Sequence, residues 1–170
     1  MKEYTFFWNG PFSNWHHSPF EYKGKQFENS EAAFMLGKAE LFGDDEIAKQ
    51  IMKNHNPRIV KALGRKIKGF DSKMWDKEKF NIMFEVCLAK FKQHEGCKKA
   101  LLEAEGRFCE GSPYDRVWGC GLSEEVASKT SPKYWPGENL LGKVLDKVKE
   151  NIVALENLEE SLSSYDGKVL

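Results

Sequence analysis

At 170 residues, with 26 lysines and arginines balanced by 26 aspartates and glutamates, the chain has no net charge, which disfavours a generic electrostatic nucleic-acid binder and leaves only a local basic patch open. Its 41% apolar and 31% charged residues suit one globular domain, and 5 Trp with 12 Phe point to a well-filled interior or an aromatic-lined pocket. No apolar run approaches membrane-spanning length, the amino terminus shows no apolar core with a cleavage site, and Cys87, Cys97, Cys109 and Cys120 form no C-x-x-C pair, so the sequence reads as a cytoplasmic protein with free thiols and no metal site.

In chain order, Thr5-Phe6-Phe7-Trp8 suits a short strand that Asn9-Gly10-Pro11 stops. Residues 13–20 form a loop crowded with hydrogen-bonding side chains, where His16 and His17 read as a solvated pair because no third metal ligand sits at a fitting spacing. A strand from Phe20 turns back at Lys23-Gly24-Lys25 towards Phe27. Asn29 or Ser30 caps a helix to about residue 42, with Glu31 in its first turn. Glu31 and Lys38 are seven apart, two helical turns, and Phe34 and Met35 can dry the face they share. Two readings stand there: an acid/base or imine-forming pair, or a capping glutamate beside a solvated lysine.

Asp44 or Asp45 begins a helix to about residue 53, Asn56-Pro57 opens a third, and Ala62-Leu63-Gly64-Arg65 closes it. A long helix from Asp71 or Ser72 to about residue 91 places Phe80, Phe84, Cys87 and Phe91 on one stripe that Ile82, Val86 and Leu88 widen, so it is expected to be buried on most sides. Trp75, in its first turn, either caps the core or stacks on a ligand. A helix over residues 97–105 is expected to end at Gly106, followed by a strand over 107–110. From Phe108 to Gly121 the chain gathers Glu110, Asp115, Arg116, Tyr114, Trp118 and three glycines, which reads either as a polar ligand site or as an ordinary connection with one buried Trp. Residues 122–130 look helical or irregular, residues 131–137 turn-rich. The last strong helix spans 138–155, with Leu141, Val144, Leu145, Val148 and Ile152 on one face. The expected fold class is therefore mainly α (α+β), a single compact helical domain with a few short strands over residues 1–155, and a weakly patterned, fraying tail over 156–170.

Ser13-Asn14, Ser18-Pro19-Phe20, Ser30-Glu31 with Lys38-Ala39, Ala62-Leu63-Gly64-Arg65, Trp75, the run from Glu110 to Leu122 and Trp135-Pro-Gly-Glu-Asn-Leu-Leu-Gly142 occur in one order. In this the chain resembles the NADAR family, named for NAD and ADP-ribose, which includes the riboflavin-biosynthesis-intermediate N-glycosidases. The likeness covers about residues 7–149. It departs from the common family pattern after Glu31, where Ala32-Ala33-Phe34 stands in place of a block with histidine or tyrosine.

The resemblance implies an N-glycoside hydrolase that needs neither metal nor organic cofactor. Its implied substrates are nucleotide or ribosyl-phosphate small molecules, the ribosylamino-pyrimidine phosphates of early riboflavin synthesis, and ADP-ribose attached to guanine in nucleic acid. Carried over by position, it implies Glu31, Lys38 and Asp115 as the chemical centre, Trp75 and Trp118 as pocket walls, and Ser13, Asn14, Arg65, Glu110, Ser112, Gly119 and Asn139 as substrate-binding residues. Both substrate classes join a ribose anomeric carbon to an exocyclic amine. A neutral Lys38 could attack that carbon and leave a Schiff base while Glu31 or Asp115 shuttles protons, or the two carboxylates could act as a glycosidase pair. A binding module that holds ADP-ribose or a nucleotide without cleaving it would keep the aromatic walls but need no proton-transfer pair. Cys120, between two glycines with no histidine near in sequence, reads as a passive thiol.

Overall fold

Asparagine and aspartate side chains start the helices where the sequence leads one to expect them. In the computed structural model, which describes residues 1–166, Asn29 accepts from Ala32 N ahead of α1 (Ser30–Leu41), and Asp44 accepts from Ile47 N ahead of α2 (Asp45–Lys53). Asn56 accepts from Arg58 N and Ile59 N ahead of α3 (Pro57–Gly64), which has proline in its first turn, and Asp71 accepts from Lys73 N and Met74 N ahead of α4 (Ser72–Gln93). Each cap satisfies helix donors that lack an intrahelical partner, typically worth about 1 kcal/mol. Because Asn29 supplies the cap of α1, Glu31 is free of that duty.

The short strands form two separate pairs. β1 (Tyr4–Phe7) runs parallel to β4 (Arg107–Glu110), with Tyr4 opposite Arg107 and Phe7 opposite Glu110. β2 (Phe20–Tyr22) and β3 (Lys25–Phe27) make an antiparallel hairpin, and its two-residue turn sets Lys23 at φ 50° and Gly24 at φ 76°, as a primed hairpin turn requires. α1 packs against α2, α3 and α4, while α7 (Leu140–Asp166) packs against α4 and β4. Ala32, Ala33, Phe34, Met35, Leu36 and Ala39 bury most of the circumference of α1, so this helix is the axis of the core. Phe27, Phe34, Phe91 and Phe108 fill that core, and burying each such ring stabilises the fold by about 1.5–3 kcal/mol.

Three expectations need correcting. α5 (Glu95–Glu103) starts earlier than expected because His94 Nδ1 accepts from Cys97 N, and Gly106 is not its cap. Gly106 instead sits at φ 72° against β1, where any side chain would strike the Glu3 carbonyl. The last helix begins at Leu140, since Asn139 holds φ 52°, and it does not end near residue 155. It continues to Asp166 through residues that include neither Gly nor Pro, and the Lys98–Glu156 ion pair at 2.9 Å ties it to α5. The end of the expected tail, residues 167–170, lies outside the described residues. α4 buries Met83, Val86, Cys87, Lys90 and Phe91 fully, with Phe80, Ile82, Phe84 and Leu88 half-buried around them. α6 (Glu124–Ser128) and a 3-10 turn at Pro132–Tyr134 fill the irregular stretch after Gly121. Among the described residues no helix is long and apolar enough to cross a membrane.

Candidate active site

Residues from α1, α3, α4 and two loops converge on one half-open cavity of about 220 Å3. Its lining contains Glu31 and Lys38 from α1, Arg65 from the end of α3, Trp75 from α4, Ser13 and Asn14 from the first loop, and Glu110, Asp115 and Trp118 from the loop after β4. A wider cleft of about 740 Å3 continues outward past Ser13, Trp15, Lys61, Arg65, Glu110 and Asp115, which both spaces share, to Trp8, Ser112, Tyr114 and Arg116.

The first loop is tied to the first turn of α1. Glu31 N donates to the Asn14 carbonyl at 3.0 Å and Ser30 Oγ donates to Asn14 Oδ1 at 2.8 Å. From below, the buried Lys90 Nζ donates to the Ser13 carbonyl at 3.1 Å. These bonds place Ser13 and Asn14 at the rim next to Glu31.

Glu31 is only 7% exposed. Burial pushes its carboxyl up to about 7; the neighbouring Lys61 opposes that rise, Asp115 adds to it, and Lys38 opposes it. Lys38 is half-buried. Its Nζ donates to the Gly64 carbonyl at 3.0 Å and lies 4.9 Å from the Phe70 ring centre and 5.2 Å from that of Trp75. Partial burial, then the positive Arg65, lowers its pKa, while Glu31 pulls the other way. The pair therefore stands nearer to exchanging a proton at neutral pH than free side chains would.

Phe34, between Glu31 and Lys38 on α1, props both aromatic walls. Trp75 lies 5.3 Å from it, and Trp118 meets it edge-on at 5.1 Å and 82°. Asp115 turns the loop so that Trp118 faces the cavity: its Oδ1 accepts from Val117 N at 2.9 Å and Trp118 N at 2.8 Å.

Three of the positions carried over from the family lie outside the inner cavity. Ser112 is buried, lines only the outer cleft, and its Oγ accepts from Tyr114 N and Asp115 N. Gly119 and Asn139 line neither space. Asn139 accepts from Glu110 N at 3.0 Å and donates to the Phe108 carbonyl at 2.9 Å, so it fixes the strand end that carries Glu110. Residues 137–141 also lie along the site loop: Gly137 N donates to the Cys120 carbonyl, Glu138 N to that of Arg116, Asn139 N to that of Gly119 and Leu141 N to that of Trp118, at 2.8–3.0 Å. That approach needs glycine at 137, because a Cβ there would collide with the backbone of residues 119–121, and a Cβ at Gly119 would strike the Asp115 carbonyl and the Ser112 side chain of its own loop.

Lys61 is the charged cavity residue that sequence reading passed over. It lies four residues before Arg65, so one turn of α3 puts both cations on one face, and that spacing was the available signal. Cys120 is fully buried in a small second core with Cys109 and Ala127, where its thiol donates to the Leu122 carbonyl at 3.3 Å. Among the described residues no cluster of His, Cys, Asp and Glu could hold a metal ion.

The NADAR domain family model matches residues 6–153. The chain is 40% identical over 130 residues to Protein irg-1 of Caenorhabditis elegans, a match covering 75% of this chain and 61% of the worm protein, so it spans about three fifths of that relative's length. It is 41% identical over 126 residues to N-glycosidase R617 of Acanthamoeba polyphaga mimivirus, covering 74% of each. Its fold also matches the NMR structure of the Escherichia coli protein YbiA with a TM-score of 0.74 at 28% identity, over 94% of this chain and 90% of that one.

Proposed function

The chain belongs to the NADAR domain family, and from that premise we propose that it is an N-glycosidase that separates a ribose anomeric carbon from an exocyclic amine. One observation carries this reading: a single cavity holds Glu31, Lys38 and Asp115, with the carboxyl of Glu31 raised to about 7 and the amine of Lys38 lowered. A carboxyl so displaced can exchange protons near neutral pH, which a site that only binds does not require. The substrates proposed are a ribosylamino-pyrimidine phosphate or ADP-ribosylated guanine, met in the cytoplasm, where four buried free thiols stay reduced.

In the scheme that fits the geometry, the ribose enters between Trp75 and Trp118 and its phosphate meets Arg65 at the junction of cavity and cleft. The exocyclic nitrogen makes the sugar an aminal, so the ring can open to an imine. Deprotonated Lys38 then bonds to the anomeric carbon, the amine leaves, and water hydrolyses the lysine imine while Glu31 takes and returns the proton of the lysine nitrogen. Lys38 is held for this by the Gly64 carbonyl and the Trp75 face, 3.0 Å and 5.2 Å away.

Borohydride added during turnover is expected to trap a covalent sugar adduct on Lys38, and Lys38→Met is expected to abolish both adduct and turnover. No adduct, together with near-normal turnover in Lys38→Met, would remove the imine route and leave a carboxylate pair. Measuring the amine released from each substrate class identifies the substrate. Calorimetric binding without product from either would favour a module that only holds the nucleotide.

A further inference from the structure

Glu110 is an acid that the imine scheme leaves without a task. It ends β4, paired with Phe7, and its backbone is fixed on both sides: its N–H donates to Asn139 Oδ1 at 3.0 Å, and its carbonyl accepts from Ser112 N at 3.0 Å and Cys120 N at 2.9 Å. Its side chain lines both the inner cavity and the outer cleft, so it stands where the two meet. Its Oε2 is buried without a hydrogen-bond partner. Leaving a buried polar atom unpaired is costly, and a bound molecule can offset that cost by supplying the partner. Asp115, the other acid of the loop, is less free, because its Oδ1 is committed to Val117 N and Trp118 N.

The position of Glu110 matches the bond to be broken. With the sugar beside Lys38 in the inner cavity, its departing base extends into the outer cleft, where Trp8 and Tyr114 lie 6.3 Å apart. The bond between anomeric carbon and nitrogen then crosses the junction. Resting on the N-glycosidase reading, we propose that Glu110 is a catalytic residue, the general acid that protonates the departing amine, with Lys61 as the cation it shares with Glu31.

The Glu110 proton passes to the exocyclic nitrogen as the carbon–nitrogen bond breaks, and the bonding pair stays on nitrogen. The sugar is left joined to Lys38 as an imine; the Glu110 carboxylate takes a proton from the water whose oxygen adds to that carbon, and the carbon–nitrogen bond to Lys38 breaks with its pair returning to the lysine amine, so one water is consumed and one amine released. Burial, then Asp115 and Glu31, push the Glu110 carboxyl up to about 7, with Lys61 opposing. Glu31 and Lys38 on α1, Lys61 and Arg65 on α3, and Asp115 and Arg116 on its own loop are the charged groups sharing these spaces.

The test is kcat against pH for the wild type and Glu110→Gln, using whichever of the ribosylamino-pyrimidine phosphate or an ADP-ribosyl-guanine oligonucleotide is turned over. An acid that must be protonated gives the wild type an alkaline limb. Glu110→Gln is expected to lose about 100-fold or more in kcat, the usual worth of general acid catalysis, and to lose that limb. A Glu110→Gln enzyme that keeps wild-type kcat, or that slows while keeping the limb in place, overturns the assignment. If this variant unfolds at lower urea than the wild type, Glu110→Asp replaces it: its limb must shift with the relocated carboxyl, and an unmoved limb overturns the assignment. A wild type that releases no amine from either substrate sinks the glycosidase reading and this role with it, a result distinct from an active enzyme indifferent to Glu110.

Discussion

Replacing Glu31 by glutamine should abolish turnover and at the same time stabilise the protein in alkaline solution. Burial holds the Glu31 carboxyl near 7, against an ordinary glutamate value of 4.5. The folded state thus binds a proton that the unfolded chain has already released between those values, so stability falls as pH rises through this window. Each pH unit of displacement corresponds to about 1.4 kcal/mol, and full ionisation therefore withdraws roughly 3 kcal/mol from the folded state. Glutamine occupies nearly the same volume, cannot ionise, and relieves the repulsion that Glu31 exerts on Glu110. Urea unfolding of both proteins at about pH 5 and about pH 8 should show the stability difference moving in favour of Glu31→Gln by roughly 2–3 kcal/mol at the higher pH. A domain of this size should then melt some 5–10 °C higher than the wild type, at about 2–4 °C per kcal/mol. If Glu31→Gln is the less stable protein at pH 8, or if the difference ignores pH, the carboxyl is satisfied in its charged form and the proton-exchange argument for this site fails.

Lys61 lowers the pKa of both Glu31 and Glu110, so Lys61→Met should move the alkaline limb of the kcat profile to higher pH, and an unmoved limb would mean that solvent screens this cation completely. The four cysteines are buried, so iodoacetamide should leave native thiols and turnover untouched until urea opens the fold. Loss of activity on alkylation in the native state would instead put Cys120 in the site.

What the sequence made legible follows the reach of local chemistry. Helix starts were readable because Asn29, Asp44, Asn56 and Asp71 cap by bonding donors two or three residues away. The Glu31–Lys38 pair was readable because helical geometry relates positions seven apart. Helix ends were less so: nothing local stops α7 near residue 155, and its extension is tied to α5 by Lys98, far off in sequence. The parallel pairing of β1 with β4 has no local signal at all, since its partners are about a hundred residues apart. Spacing could not tell that Asp115 turns one oxygen to its own loop while Glu110 keeps a buried oxygen unpaired, because both appear simply as acids near glycines.

The same limit explains Asn139 and the segment around it. Trp135-Pro-Gly-Glu-Asn carries the polar residues expected of a ligand-binding loop, yet its backbone donors run to the carbonyls of Arg116, Gly119 and Cys120, and the Asn139 side chain grips the end of β4. Glu110, Asp115 and Trp118 thus stand on one short stretch braced along its length by a second, with Gly137 allowing the two backbones to touch and Gly119 allowing the first to fold tightly on itself. A loop that must hold a carboxyl raised to about 7 next to another at about 7 works against like-charge repulsion whenever both ionise. Side-chain contacts alone would let such a loop swing outward and hydrate the acids, restoring their ordinary pKa values. Backbone hydrogen bonds along the brace oppose that motion, so the segment containing Asn139 holds the acids in place through the loop that carries them.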